Sequence, residues 1–396
     1  MKVSLEFQKI CDMGRSMSHR IALILMAAGD STRFCASANI PLKKQWLRVG
    51  DIPLWQKVAQ DLSETYPFCQ IFITASESDF LYMQTISPFC VIKGGNTRAQ
   101  SLRNALRFVE ADFVLVSDVA RWDIDKAVCE RLFACLDNPD FACAVPFVSV
   151  PDTTFYQGAY LAREDIKLIQ TPQLSHTQTL KQALDSKDFS DESSAMHTLG
   201  KRIDFVQGSA KLSKLTLGED LHNSNLLPPS KESFCASGFD VHAFEEGKPM
   251  VLGGIEIASP IGFKAHSDGD VVLHALSDAI LGGMCAGDIG QWFPDTSEEF
   301  KGADSKKLLT HIYTYTRSVG FEVRYVDITI MAQIPKITPY KQRIQESIAA
   351  LLELPKARVS IKATTTESLG FIGRKEGVAV SATDTLGYIQ WDSILR

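Results

Sequence analysis

The chain has 396 residues, 45% of them hydrophobic and 22% charged, and a net charge of −6. That length exceeds one ordinary domain and lets each half close its own core, so two domains are expected and a disordered chain is excluded. The acidic balance argues against a nucleic-acid binder, whose surface is basic, while leaving room for local basic pockets that hold phosphate.

Nine cysteines occur at irregular spacing with no CxxC pair. A disulfide framework or a cysteine-built zinc site is therefore not expected, and a reducing cytoplasm fits. The longest early apolar run, Ile21 to Ala28, is too short to span a bilayer and follows no signal-peptide pattern. A soluble, cytoplasmic protein is the expectation. Residues 1–20 carry charges without a clear period and read as a leader of unknown role.

Short apolar runs then alternate with amphipathic ones. Ile21–Ala28, Gln70–Ala75, Cys90–Lys93, Asp112–Ser117 and Phe141–Pro146 predict strands. Pro53–Tyr66, Arg98–Glu110 and Ile124–Leu136 predict helices. This alternation implies an α/β domain over 21–221 with a mostly parallel sheet and a ligand crevice at the carboxyl ends of its strands. The Asn-, Ser- and Pro-rich stretch at 222–233 resists helix and strand alike and reads as a linker. Beyond it, a strand near Phe239–His242 leads to helices over Gly269–Cys285 and Ser305–Ser318. A strand Glu322–Met331, a helix Tyr340–Leu352 and strands Arg358–Ala363 and Gly377–Thr385 complete an α+β domain over 234–396. The halves share no internal repeat.

The first predicted strand ends in Ala27-Ala28-Gly29-Asp30-Ser31-Thr32-Arg33, with Lys43 and Lys44 soon after. Small residues let backbone N–H groups approach a phosphate, and the cations can neutralise charge on a transferred phosphoryl group. The loop is neither a Walker A motif nor GxGxxG, and a purely structural turn remains an open reading. Gly94-Gly95-Asn96-Thr97-Arg98 also ends a strand and opens a helix. Ser117-Asp118-Val119-Ala120-Arg121 ends another strand and offers a carboxylate to a magnesium–triphosphate complex, unless Asp118 is only a helix cap.

AAGDSTR, KKQWL, GGNTRAQS, SDVAR, Pro151-Asp152-Thr153, Gln170-Thr171-Pro172-Gln173 and Ser190-Asp191-Glu192-Ser193 occur in an order that resembles 2-C-methyl-D-erythritol 4-phosphate cytidylyltransferases. The resemblance covers about Ile21 to Leu221 and implies a Rossmann-like nucleotidyltransferase. It gives Arg33 and Lys44 the transition state at the α-phosphate of CTP, and Arg163 and Lys214 the methylerythritol phosphate. Ala27, Ala28, Gly29, Gly95, Asn96, Arg98 and Ser101 resemble the CTP cradle. Asp118 resembles the magnesium-side aspartate, and Arg121 and Thr153 the substrate contacts. Met26 stands where such enzymes often have Pro, Val119 where Ala is usual, and Asp30 and Thr32 where smaller or basic residues are; with the Cys35–Leu42 stretch also reshaped, Lys43 and Lys44 both stay open, Lys44 being preferred because it precedes Gln45.

In the second half, Asp240 and His242 alternate onto one face of a strand, and Ala265-His266-Ser267-Asp268-Gly269-Asp270 leads into a helix carrying His274. One carboxylate and two imidazoles can bind a divalent metal and leave a position open; a chance DxH and a packed histidine are the alternatives. Ala286-Gly287-Asp288-Ile289-Gly290, Phe293-Pro294-Asp295, Met331 to Lys336, Lys362-Ala363-Thr364-Thr365-Thr366-Glu367 and Gly370 to Arg374 follow. Together these resemble 2-C-methyl-D-erythritol 2,4-cyclodiphosphate synthase over nearly all of Phe234 to Tyr388. The resemblance assigns Asp240, His242 and His274 to a zinc-like divalent cation and Glu367 to Mg²⁺ or Mn²⁺ at the nucleotide phosphates. His266 and Thr365, with Ser267 alongside, resemble transition-state stabilisers. Asp288 and Gly290 resemble ribose contacts, Ala332 to Lys336 the cytosine-reading loop, and Asp295 the contact to erythritol hydroxyls. Thr364, Thr366, Phe371 and Arg374 join the binding set.

The expectation is thus a bifunctional enzyme of non-mevalonate isoprenoid synthesis, with CTP, methylerythritol 4-phosphate and CDP-methylerythritol 2-phosphate as substrates. The alternative makes the first half a nucleotide-binding platform, or a cytidylyltransferase for another sugar phosphate. The two steps are not consecutive, so a separate kinase is an implied partner. The family analogies imply a trimer-based homo-oligomer such as a hexamer, with no nucleic-acid or membrane partner.

Overall fold

In a computed structural model of the chain, the described residues are 19–185, 188–222, 224–265, 267–294 and 302–394. The predicted leader lies almost wholly outside them. These residues form two compact units, one of those up to Asn39 and of Ile52–Leu226, the other of Ile40–Asp51 and Leu227–Ile394.

The first unit is built on a sheet of eight strands. Its elements are β1 (Ile21–Met26), α1 (Thr32–Ala38), α2 (Leu54–Ser63), β2 (Gln70–Ala75), α3 (Glu77–Ile86), β3 (Cys90–Lys93), α4 (Arg98–Leu106), β4 (Phe113–Asp118) and α5 (Lys126–Ala134). They continue with β5 (Cys143–Ser149), β6 (Thr154–Tyr156), β7 (Ala159–Leu161), β8 (Lys167–Ile169), β9 (Gln173–His176), α6 (Thr177–Leu184), α7 (Glu192–Thr198) and β10 (Ile203–Gln207). The sheet order is β8-β5-β9-β4-β1-β2-β3, with β10 pairing β5, while β6 and β7 form a separate hairpin. β1 pairs in parallel with both β2 and β4, and all six of its residues are buried. Such two-sided burial is why β1 reads as an unbroken apolar run without alternation. β4 and β1 run in register, so Asp118 lies opposite Met26 and the phosphate-loop candidates share one sheet end. The mostly parallel α/β expectation holds, with β9 and β8 as antiparallel additions.

The second unit contains β11 (Ser233–Glu246), β12 (Met250–Leu252), β13 (Ile255–Ile257), β14 (Ile261–Phe263), α8 (Val271–Gly283), α9 (Ser305–Ser318), β15 (Phe321–Met331), α10 (Lys341–Leu351), β16 (Val359–Thr364) and β17 (Gly377–Tyr388). Its main sheet runs β14-β11-β17-β15-β16; β11, β17 and β15 are antiparallel neighbours, and β16 is parallel to β15. α8 packs on β11 and β17, the α+β layering expected. Gly238 permits that approach, because a Cβ there would sit 2.1 Å from the Ala275 carbonyl oxygen and 2.7 Å from the Ala279 nitrogen. The strand foreseen only near Phe239–His242 extends over all of β11, beginning at Ser233 where the linker was expected to end.

Ile40–Asp51 precedes most of the first unit in sequence but groups with the second. Its backbone amide at Lys43 donates to Ser318 O at 3.1 Å, and the indole of Trp391 donates to Arg48 O at 2.8 Å. The Arg48 guanidinium carbon sits 4.6 Å from the Phe321 ring centroid and 4.8 Å from that of Tyr388, so cation–π attraction holds the segment.

Candidate functional site

In the first unit, Ala27, Ala28 and Gly29 follow β1, and the Ala27 N–H donates to Thr74 Oγ1 at 3.0 Å. Gly94 backs onto this turn, for an added Cβ would lie 2.7 Å from Ala28 Cβ and 2.9 Å from Ser101 Oγ. The two small-residue loops are therefore neighbours. The expected anion nest is satisfied from within, because Gly95 N donates to Ser101 Oγ at 3.0 Å and Asn96 N to Gln100 Oε1 at 2.9 Å. A phosphate at these amides has to displace those side chains. Thr97 caps α4 by accepting from Gln100 N, which starts the helix and aims Arg98 across the strand ends.

Arg98 joins a chain of charges. Its Nε donates to Asp118 Oδ1 at 3.0 Å, and its Nη1 and Nη2 donate to Glu192 Oε1 and Oε2 at 2.8 and 3.4 Å. Lys214 Nζ donates to Asp118 Oδ2 at 2.9 Å. Burial pushes the Asp118 carboxyl up, but Arg98 and Lys214 outweigh it and bring it down to about 2. Asp118 is thus no idle helix cap; both its oxygens already face cations. Arg121, read as a substrate contact, is half-buried and donates to the carbonyls of Leu212 and Ile169. Arg33, Thr153 and Arg163 are exposed, with Arg163 Nη1 donating to Pro151 O at 3.2 Å. Lys43 and Lys44 lie in the Ile40–Asp51 segment.

In the second unit, Asp240 and His242 sit on β11 and His274 one turn into α8. Asp240 Oδ2 is 3.3 Å from His242 Nε2 and 3.3 Å from His274 Nδ1, and the three ligand atoms lie within 4.8 Å of one another. The opposite ring nitrogens are tied back. His242 Nδ1 is 2.9 Å from Gly269 O, a carbonyl that only accepts, so Nδ1 carries the proton and the Nε2 lone pair faces Asp240. His274 Nε2 lies 3.0 Å from Ser305 Oγ and 3.3 Å from Ser267 Oγ. One carboxylate oxygen and two imidazole nitrogens, converging with their partners fixed, suit a divalent ion such as zinc.

α8 begins here for a local reason: Gly269 adopts φ +76, and buried Asp270 caps the helix by accepting from Val272 N and Leu273 N at 3.1 Å each. Its carboxylate also accepts from Gly253 N and Gly254 N at 2.8 and 2.6 Å, pinning the turn that carries His274.

The family model for 2-C-methyl-D-erythritol 4-phosphate cytidylyltransferase matches residues 21–227, and that of the YgbB family matches residues 234–387. The bifunctional enzyme IspD/IspF of Wolinella succinogenes is 49% identical over 376 residues, 94% of this chain and 97% of that protein. The chain belongs to the bifunctional IspD/IspF family. Its namesake in Aliarcobacter butzleri is 46% identical over 94% of this chain and 98% of its own. The solved structure of the bifunctional IspDF from Campylobacter jejuni, 47% identical, superposes with a TM-score of 0.83 over 94% of this chain and all of its own. This IspD/IspF chain therefore joins a cytidylyltransferase to a cyclodiphosphate synthase of isoprenoid synthesis.

The remaining IspF-side candidates form a second group. Ala332 N donates to Thr364 O at 3.0 Å where β15 and β16 end together, which joins the cytosine-loop candidate to the threonine run. Lys336 and Thr365 are exposed, Thr366 Oγ1 donates to Leu369 O, and Thr365 Oγ1 donates to Glu367 Oε1 at 3.0 Å. Glu367, expected as a metal ligand, joins no cluster of three such side chains among the described residues. Arg374 pairs with Glu376 at 2.8 Å, and Phe371 is exposed. Asp288 caps a short helix by accepting from Gln291 N at 3.0 Å, beside exposed Gly290. His266 and Asp295 lie outside the described residues.

Glu192 and Asp268 stand inside the motifs and Ser305 opens a predicted helix, but none of the three is a site candidate from the sequence. The two acidic residues in Ser-Asp-Glu-Ser are a signal for the first; nothing local announces that Ser305 meets His274. No helix among the described residues is long and apolar enough to cross a membrane.

Proposed function

We propose that the first unit takes CTP and 2-C-methyl-D-erythritol 4-phosphate to CDP-methylerythritol and pyrophosphate. A 4-phosphate oxygen attacks the α-phosphorus, the bond to the β-phosphate's bridging oxygen breaks, and pyrophosphate leaves with that electron pair. Arg33 and Lys44 stabilise the charge gathering at the α-phosphate, and Arg163 and Lys214 hold the incoming phosphate. Ala27, Ala28, Gly29, Gly95, Asn96, Arg98 and Ser101 bind the triphosphate, Asp118 stands on its magnesium side, and Thr153 contacts the methylerythritol. Arg121, which also donates to the carbonyls of Leu212 and Ile169, contacts the substrate with Thr153.

The second unit takes CDP-methylerythritol 2-phosphate to the 2,4-cyclodiphosphate and CMP. The 2-phosphate oxygen attacks the β-phosphorus, the bond from that phosphorus to the bridging oxygen breaks, and CMP departs. Asp240, His242 and His274 would hold a zinc-like divalent cation, which when bound supplies Lewis-acid polarisation of the β-phosphate. Glu367 would hold Mg²⁺ or Mn²⁺, which when bound supplies charge neutralisation at the phosphates; His266, Ser267 and Thr365 stabilise the charge that develops on transfer. Asp288 and Gly290 hold the ribose, Ala332 and Lys336 the cytosine, Asp295 the erythritol hydroxyls, and Thr364, Thr366, Phe371 and Arg374 complete the binding set.

The observation that carries this reading is the convergence of the Asp240 carboxylate with two imidazole lone pairs whose opposite nitrogens are tied back. A separate kinase adds the 2-phosphate between the two steps, and the chain works in the cytoplasm. Homo-oligomerisation is supported by apolar side chains left open on the β6–β7 hairpin, where Tyr160 is 77% exposed, and on β11, where Phe239 is 61% exposed. Purified protein given CTP, methylerythritol 4-phosphate and Mg²⁺ should release pyrophosphate, and CMP from the 2-phosphorylated product. Absence of pyrophosphate overturns the first activity, and absence of CMP the second. Replacing Arg33 or Lys44 should cut turnover far more than CTP affinity; weakened binding alone would point to a nucleotide platform. A single monomeric boundary in sedimentation velocity would reject the oligomer.

A further inference from the structure

His274 can ligate a metal through Nδ1 only while its proton sits on Nε2. Two hydroxyls face that Nε2, and they are not equivalent. Ser305 Oγ, on a residue only 1% exposed, lies 3.0 Å from Nε2 and 2.5 Å from Asp268 Oδ1. A carboxylate oxygen accepts, so the one hydroxyl hydrogen of Ser305 goes to Asp268. Ser305 Oγ is left as an acceptor towards His274, which then has to carry its proton on Nε2. Ser267 Oγ, 3.3 Å from the same nitrogen, accepts from Gly269 N at 3.1 Å and keeps a rotatable hydrogen, so it can serve either tautomer.

Asp268 is itself held. Its Oδ2 accepts from Ser305 N at 3.1 Å and its Oδ1 from Asp270 N at 3.2 Å, so the loop before α8 and the first residue of α9 are fastened at one carboxylate. We infer that Ser305 and Asp268 are positioning residues of the metal centre: they lock His274 into the tautomer that leaves Nδ1, facing Asp240, unprotonated, and thereby set the affinity for the divalent ion. The inference rests on the reading of Asp240, His242 and His274 as a metal site. It assigns work to two residues, Asp268 in the turn before α8 and Ser305 at the start of α9.

The reason the pair matters is competition between tautomers. Without the Ser305 acceptor, Ser267 alone faces Nε2 and imposes no choice, and part of the population presents a protonated Nδ1 to the ion. Outer partners of metal-bound histidines generally change affinity by about 10- to 100-fold, and that is the effect expected here.

The test is zinc affinity of the full chain, measured by competition with a chromophoric chelator, for wild type, Ser305→Ala, Ser305→Thr and Asp268→Asn. Ser305→Ala and Asp268→Asn should bind zinc about 10- to 100-fold more weakly, while Ser305→Thr, which keeps the hydroxyl, should stay close to wild type. Imidazole ¹⁵N spectra should show the Nε2–H form of His274 in wild type and mixed tautomers in Ser305→Ala. Unfolding of each variant followed by circular dichroism separates a tautomer effect from loss of fold. Ser305→Ala binding zinc as tightly as wild type, or an unchanged ring spectrum in a folded variant, would overturn the inference while leaving the metal centre intact. Failure of wild type to bind zinc would overturn the metal centre and the inference with it.

Discussion

Glu192 offers the sharpest check on the electrostatics of the cytidylyltransferase unit. Its side chain is fully buried, and both oxygens accept from the Arg98 fork at 2.8 and 3.4 Å. Burial, partly offset by that guanidinium, raises its carboxyl. Glu192→Gln preserves shape but removes the charge and turns an amide NH₂ towards a group that can only donate. Breaking a buried pair from one side costs about 3–5 kcal/mol because the surviving charge stays desolvated. Arg98 keeps Asp118 and is 26% exposed, so the lower end applies, about 3 kcal/mol. For a domain of this size that corresponds to a fall in Tm of roughly 6–12 °C by calorimetry. The KM for CTP should rise in the same variant, since Arg98 loses the partner that aims it at Asp118. A Glu192→Gln protein melting within about 2 °C of wild type with an unchanged KM would refute the argument, because then the pair neither stabilises nor positions.

Other outcomes follow from single residues. Asp384 on β17 is fully buried with neither oxygen hydrogen-bonded, and burial, against weak help from the Ala236 and Asp384 amides, pushes its carboxyl up to about 7. Its folded pKa exceeds the unfolded value of 3.8, so the unfolded chain ionises first and stability falls as pH rises from about 4 to about 7, by about 4 kcal/mol in all. Asp384→Asn should therefore gain stability over wild type in urea unfolding at pH 8 but much less at pH 4; equal differences at the two pH values would be the contrary result. Asp240→Asn should lose bound zinc and CMP release while pyrophosphate release continues, as elemental analysis beside both assays would record. Gly238→Ala puts a Cβ 2.1 Å from the Ala275 carbonyl oxygen and should push α8 from β11, destabilising by about 1–3 kcal/mol and weakening zinc binding as His274 shifts. Unaltered zinc affinity in that variant would show that α8 tolerates the shift without moving its histidine.

Much of this molecule was legible before any coordinates. The unbroken apolar run of β1, the small residues after it, and the period-two spacing that puts Asp240 and His242 on one face are local properties of the backbone, and local properties survive in a sequence. So did the two-unit organisation, since the Asn-, Ser- and Pro-rich stretch cannot continue a helix or strand. Exact strand lengths were not legible: β11 runs from Ser233, and its early residues gain their conformation by pairing with β17 far along the chain.

What lay beyond the sequence is everything set by groups brought together across long separations. Arg98 looked like a phosphate ligand, and only the fold shows it gripped by Asp118 and Glu192. Arg121 looked outward, and the fold turns it to the Leu212 and Ile169 carbonyls. Ile40–Asp51 reads as part of the first unit, yet its partners Ser318, Phe321 and Tyr388 are in the second. Most telling is His274. The chain determines that it follows a capped turn on α8, but whether the Nδ1 facing Asp240 carries a proton depends on a serine from α9 and an aspartate behind it. A sequence specifies which way a side chain leaves its own backbone; the hydrogen-bond partner opposite, which decides charge and tautomer, exists only once distant elements have packed.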